Sequence, residues 1–176
     1  MARRAERVGV TKAGLSTADT LALSMLAGAF IALGAIFATT VTAGGADVPF
    51  GLLRLAGGLA FSLGLILVVV AGAELFTGNN LIVMAWASGL VPTHRLARNW
   101  ALVYAGNFVG ALATAALVFV AKQYEFGDGA IGAQALIHFA TIVLASVVGW
   151  FLAGRVLRPL NTLADTARSI SETDLT

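Results

Sequence analysis

The sequence predicts an all-α, polytopic membrane protein with about four transmembrane elements, the second of them broken in mid-membrane. Three observations predict it. First, 59% of the 176 residues are apolar and only 11% are charged, whereas a soluble domain carries about a quarter charged residues. Second, the few charges leave long gaps: from Asp19 to Asp47, from Leu55 to Ala73, from Leu75 to His94, from Asn99 to Ala121 and from Gly129 to Gly154. Crossing roughly 30 Å of hydrocarbon takes about 20 apolar residues. Third, the basic residues sort to one side when the chain is threaded as four crossings, as cytoplasmic loops require.

The elements follow in order. Residues 1–18 form an N-terminal cytoplasmic arm carrying Arg3, Arg4, Arg7 and Lys12. The apolar run after it is too long for a signal-peptide core, so it reads as a retained helix near Thr20–Thr42. A short outer loop holds Asp47, Pro49 and Arg54. The stretch from Leu55 to Val91 is interrupted by Glu74, and the part after the interruption is too short to span alone. If the stretch crosses once, Arg3, Arg4, Arg7, Lys12, Arg95, Arg98, Arg155, Arg158 and Arg168 lie inside, against Arg54 and Lys122 outside. A hairpin reading divides them almost evenly. The single broken crossing is therefore expected, with arms near Leu55–Ala73 and Asn80–Leu90. An inner loop Val91–Arg98, a helix near Trp100–Val120, an outer loop Lys122–Gly132 and a helix near Ala135–Ala153 follow, and a polar, helix-compatible tail begins at Arg155.

The break at 72–80 is the chemical centre. Backbone groups freed at membrane depth must be buried in protein or line a polar path. Gly72 and Gly78 flank the break and tolerate unusual backbone angles. Thr77, Asn79 and Asn80 are expected to recapture freed groups and cap the second half-helix, whose positive end then suits an anion. Glu74 is an intramembrane carboxylate, which marks a functional site or anchors the loop through hydrogen bonds. Gly106 and Gly110 read as a helix-packing pair, and the basic arm as a topological signal.

The segment Val69-Val-Ala-Gly-Ala-Glu-Leu-Phe-Thr-Gly78, with Gly57-Gly-Leu-Ala-Phe-Ser-Leu-Gly64 before it and Asn99-Trp, Val103-Tyr and Gly106-Asn-Phe-Val-Gly110 after it, resembles the formate/nitrite transporter family over about residues 8–136. The resemblance implies an aquaporin-like half-repeat, one pore per protomer in a pentamer, and passage of small monovalent anions such as formate, nitrite or hydrosulfide. It places Leu75, Phe76 and Thr77 at the pore, the first two as an apolar constriction and Thr77 as a hydroxyl to the anion. In the family, Glu74 is tied to a buried lysine on the following helix. No lysine lies in the fourth helix of this chain, so the carboxylate is expected to lack that partner. Family members also carry a second, inverted half with a central pore histidine, and neither His94 nor His138 sits in that context; both read as interfacial.

Residues 137–176 resemble another family. Trp150-Phe-Leu-Ala-Gly-Arg-Val-Leu-Arg-Pro-Leu-Asn-Thr-Leu-Ala-Asp-Thr-Ala-Arg-Ser-Ile-Ser-Glu-Thr-Asp-Leu175 is similar to the last transmembrane helix (137–154) and first HAMP helix (155–176) of sensor histidine kinases. Pro159 suits the start of a new helix, and Leu160, Leu163 and Ile170 form an apolar seam. The chain thus reads as half a transporter, 19–136, joined to a kinase-like membrane helix near 134–138. Its expected setting is an inner or plasma membrane, with both termini cytoplasmic.

The leading function is transport of small monovalent anions through a channel-like pore; a HAMP signal relay and a non-conducting fragment are the alternatives. A net charge of +2 offers no field for nucleic acid, and the absence of cysteine excludes disulfide, zinc-thiolate and thiol chemistry. No Ser/His/Asp set, phosphate-cradling loop or metal-ligand spacing is present, so the expectation is no enzyme, no metal and no cofactor. The expected partners are the bilayer, the anion and copies of the chain.

Overall fold

The computed structural model describes the backbone of residues 2–173 and the side chains of 3–152 and Arg155. Its helices are α1 (Ala2–Ala13), α2 (Thr17–Thr42), α3 (Phe50–Val70), α4 (Phe76–Asn79), α5 (Ile82–Ala87), α6 (Thr93–Val120) and α7 (Ala130–Thr173), with a 3-10 turn at Gln123–Glu125. No strand occurs among the described residues. Four helical stretches are long and apolar enough to cross a membrane: α2, α3, α6 and Ala130–Leu152 of α7. The chain divides into two compact units, residues 1–134 and 135–176.

The first unit is built on α2. Ser16 starts it: its hydroxyl accepts the Asp19 N–H at 3.1 Å and donates to the Asp19 carboxylate at 2.6 Å, satisfying a free donor of the first turn. Glycine then sets how closely α2 meets its neighbours. A Cβ on Gly110 would stand 1.9 Å from the Met25 carbonyl oxygen, and one on Gly28 would stand 2.1 Å from that of Asn107. Gly34 and Gly64 meet in the same way across α2 and α3. Without water to drive association, such backbone approach supplies the packing between apolar helices. Gly110→Ala is accordingly expected to push α6 off α2 at a cost of about 1–3 kcal/mol, read as a lower thermal midpoint in detergent; an unchanged midpoint would show that the helices slide apart freely.

Hydroxyls on these helices are satisfied internally. Thr20, Thr40, Thr42 and Thr114 donate to the carbonyls of Ser16, Ile36, Ala38 and Gly110, four residues back, at 2.7–3.0 Å. That closes the hydrogen-bond account in a medium that offers no alternative partner.

Contacts at the two ends give the course of the chain. Arg98, at the start of α6, donates to the Leu15 carbonyl and, at 2.7 Å, to the Thr17 hydroxyl. Ser88, just after α5, donates to Glu6 of α1 at 2.7 Å. At the other end, Gln123 reaches Thr40 at 3.1 Å. The stretch α3–α4–α5 therefore runs once from the end that holds Thr40 to the end that holds α1.

Several boundaries differ from expectation. The arm before α2 is a helix, α1, packed on α5, where Gly9 sits against Ala85 and Ile82. The loop expected at Val91–Arg98 is mostly helix, because extended Pro92 (φ −74°, ψ 151°) caps α6 and lets it start at Thr93. The second arm of the broken crossing is two short helices, separated by Asn80 and Leu81. α7 starts at Ala130 and continues through Pro159 instead of restarting there. A proline removes one backbone hydrogen bond, and the alanine- and leucine-rich turns on both sides carry the helix through. The side chains of Pro159, Leu160, Leu163 and Ile170 lie outside the described residues.

Candidate functional site

The α3 helix ends at Val70 and the backbone turns at Gly72, whose φ of +62° is the left-handed conformation that glycine adopts without strain. Two residues on, Glu74 enters the interior of the unit, where it is 3% exposed. Its N–H donates to the Leu23 carbonyl of α2 at 3.2 Å. One carboxylate oxygen accepts from the Lys12 ammonium at 2.6 Å, the other from the Asn79 amide at 2.7 Å. The expectation of a carboxylate without its lysine is thus overturned: the partner comes from α1, in the N-terminal arm. Helix α1 stands close enough because Gly9 lets it lie on α5.

The pair sits in a polar network that spans three elements. Asn79 accepts from Lys12 at 3.2 Å and donates to Asn99 of α6 at 2.9 Å. Asn99 in turn donates to the Lys12 carbonyl at 3.2 Å, and the Trp100 indole donates to that of Asn79 at 3.3 Å. Asn79 and Asn99 are fully enclosed, and every buried side-chain polar atom among the described residues has a partner. Buried charge is tolerated on those terms.

A second side chain of α6 closes the break. Asn107 accepts the Phe76 N–H at 2.9 Å through its amide oxygen. Its amide nitrogen donates to the Ser24 carbonyl at 2.8 Å and to the Glu74 carbonyl at 2.9 Å. One side chain therefore holds two backbone groups freed by the break and ties them to α2. Gly28 makes this possible, since any Cβ there would collide with the backbone of Asn107.

The residues singled out from sequence divide accordingly. Glu74 and Asn79 are brought together, and Gly72 makes the turn. Gly78 is helical with an ordinary φ, so it does not flank the break as a special conformation. Thr77 and Asn80 are exposed, and neither α4 nor α5 has a side-chain cap. Recapture of the backbone falls to Asn107, because its amide offers acceptor and donor at once. With four and six residues, α4 and α5 are too short for the expected half-helix dipole to provide an anion site. Leu75 packs with Ala27, Val68 and Ala73. Phe76 meets Trp100 and Tyr104 edge-on, at centroid distances of 6.2 and 5.6 Å.

Lys12, Asn99 and Asn107 were missed as site residues. Their signal was present: two asparagines eight positions apart on an apolar helix, and one lysine in an arm otherwise basic through arginine.

Comparison with known proteins decides the family. The sequence profile described as formate/nitrite transporter matches residues 1–155. The chain belongs to this family. The formate channel FocA of Escherichia coli is 46% identical over 136 residues, which are 77% of this chain and 48% of that protein. The probable formate transporter of Methanothermobacter thermautotrophicus is 40% identical over 111 residues, 61% of this chain and 40% of its own. A solved pentameric formate channel with formate bound superposes with a TM-score of 0.65 at 41% identity, covering 69% of this chain and 48% of that one. The chain thus spans about half the length of the relatives it matches. Family and apolar helices together make it a membrane protein. The family match also runs past residue 137 to residue 155, through the helix that the sequence had aligned with a sensor kinase.

Proposed function

We propose that the chain is the first half of a channel-like transporter for small monovalent anions of the formate and nitrite type, working as a homo-oligomer, a pentamer by analogy with its structural neighbour. The observation that carries this reading is the broken crossing with a charged, fully hydrogen-bonded pair at its break. A lysine held at that depth supplies positive potential to an anion, and Glu74 fixes its position. Phe76 and Thr77, on the turn after the break, are the groups an anion meets. Phe76 gives a dry constriction braced by Trp100 and Tyr104, and the exposed Thr77 hydroxyl donates to the anion. Leu75 supports Phe76 from within. Within the first unit Arg3, Arg4, Arg7, Lys12, Arg95 and Arg98 collect at the α1 end and Arg54 and Lys122 at the other, which supports an inner or plasma membrane with cytoplasmic termini as the setting of this reading.

Formate flux into proteoliposomes tests the reading. Flux well above that of empty vesicles is expected, and equality with empty vesicles would leave a non-conducting fragment as the better description. Given flux, Phe76→Ala is expected to raise the rate several-fold and to weaken discrimination against larger carboxylates. An unchanged profile removes the constriction.

A second reading concerns residues 156–176 alone. The family match ends at residue 155, while α7 continues as one helix to Thr173. At 1.5 Å per residue its 44 residues extend about 66 Å, far beyond the membrane. We infer a HAMP-like cytoplasmic helix there. Cysteines at Leu163 and Ile170 are expected to cross-link between protomers, and failure at both positions argues for an unpaired tail.

A further inference from the structure

The strongest unassigned feature is a pair of open grooves along α1. One, of about 690 Å³, is lined by Arg4, Arg7, Thr11 and Lys12 together with Gly72 and Glu74 of the break. The other, of about 520 Å³, is lined by Arg3, Glu6, Arg7, Val10 and Leu90. The two share Arg7 and Thr11. Positions 4, 7 and 11 lie on one face of a helix, so the guanidinium groups of Arg4 and Arg7 face the same groove that ends at the Lys12–Glu74 pair.

Among the described residues neither guanidinium has an ion-pair partner; the ion pairs are Lys12–Glu74 and Lys122–Glu125. Glu6, the acidic residue of α1, accepts from Ser88 at 2.7 Å. Counting Arg4, Arg7 and Lys12 against Glu74, the larger groove carries three positive charges and one negative one, a net +2. A concave wall of one sign focuses the field and raises the local concentration of counter-ions, and a guanidinium suits a carboxylate through two parallel hydrogen bonds.

Resting on the transport reading above, we infer that Arg4 and Arg7 form an anion-collecting vestibule that holds a small carboxylate or similar oxyanion before it reaches the break. The site acts on capture. It therefore sets how flux depends on ionic strength, and the break sets which anion passes. The competing source of an oxyanion at this groove is a phospholipid headgroup.

The test uses the chain in phosphatidylcholine vesicles, with tracer formate at two ionic strengths. At about 0.01 M, where the screening length is about 30 Å, the Arg4→Gln/Arg7→Gln variant is expected to lose flux roughly three- to tenfold. At about 0.15 M, where it is about 8 Å, the loss is expected to shrink below twofold. Arg54→Gln, at the opposite end, is the control for net charge and is expected to match the parent. Equal flux at low salt, or an equal loss at both salts, overturns the vestibule. A loss that arises only when phosphatidylglycerol is added assigns the groove to lipid and also overturns it. If the parent chain conducts no formate, the transport reading fails separately, and broadening of the carbon-13 formate resonance in micelles decides. Broadening by the parent that the double variant loses supports the site; absence of broadening by the parent overturns it.

Discussion

Replacing Lys12 by methionine is expected to destabilise the chain by about 3–5 kcal/mol, because it leaves the buried carboxylate of Glu74 without its counter-charge. The carboxylate keeps one hydrogen bond, from Asn79, and loses the 2.6 Å contact to the ammonium. In detergent this corresponds to a fall in thermal midpoint on the order of 10 °C. Glu74→Gln in the same background removes the stranded charge while its amide oxygen still accepts from Asn79, so Lys12→Met/Glu74→Gln is expected to recover more than half of the loss. A double-mutant cycle over these variants measures the coupling directly. Additive effects would show that the two groups do not sense each other, and the paired reading of the break would be wrong. Flux gives an independent readout: if Lys12 supplies positive potential to the anion, the double variant is stable yet conducts formate slowly.

Much of this fold was legible because a bilayer punishes charge. The gap after Asp19 marked α2, and the gap from Asn99 to Ala121 marked most of α6. The sorting of arginine and lysine made the Glu74 stretch a single crossing, and the contacts of Ser88 with Glu6 and of Gln123 with Thr40 bear out its course. The break itself was legible from Glu74 and Gly72.

What escaped the sequence was who holds the break together. Side-chain chemistry near the interruption suggested Thr77, Asn79 and Asn80, because local capping is the shortest route to a freed backbone group. Tertiary packing offered a better one. Lys12 is 62 positions from Glu74 and Asn107 is 31 from Phe76, so neither separation is visible as a motif. Both depend on close helix approach, which glycine permits but does not announce. Likewise, α1 read as a charged arm because its arginines stand out in its composition, while its inward positions are two small residues, Gly9 and Ala13, and the partly buried Lys12.

Asn107→Leu is expected to be as damaging as loss of the lysine, for a different reason. The leucine fills a similar volume and suits an apolar helix, so simple burial favours it. It nevertheless strands the Phe76 N–H, and it removes the donor from the Ser24 and Glu74 carbonyls. The Ser24 carbonyl lies within the α2 helix and keeps its place in that ladder, so two groups are stranded at about 1–3 kcal/mol each, which puts the total near ~2–6 kcal/mol. Asn107→Asp separates the two functions of the amide. Its carboxylate offers Phe76 the same acceptor but faces two carbonyl oxygens at the positions where asparagine donates at 2.8 and 2.9 Å, and their repulsion opens the turn and takes the Phe76 bond with it. It is therefore expected to rescue nothing, and to be worse than leucine above the pH at which it ionises. Thermal midpoints rank the three proteins, and hydrogen exchange at the Phe76 amide localises the effect, with protection in the parent and rapid exchange in both variants. If Asn107→Asp is as stable as the parent and protects Phe76, the donors are dispensable and the break is held by the Lys12–Glu74 pair alone. If both variants fail while the lysine pair stays intact, the re-entrant turn needs two independent anchors: one for its charge, supplied by α1, and one for its backbone, supplied by α6.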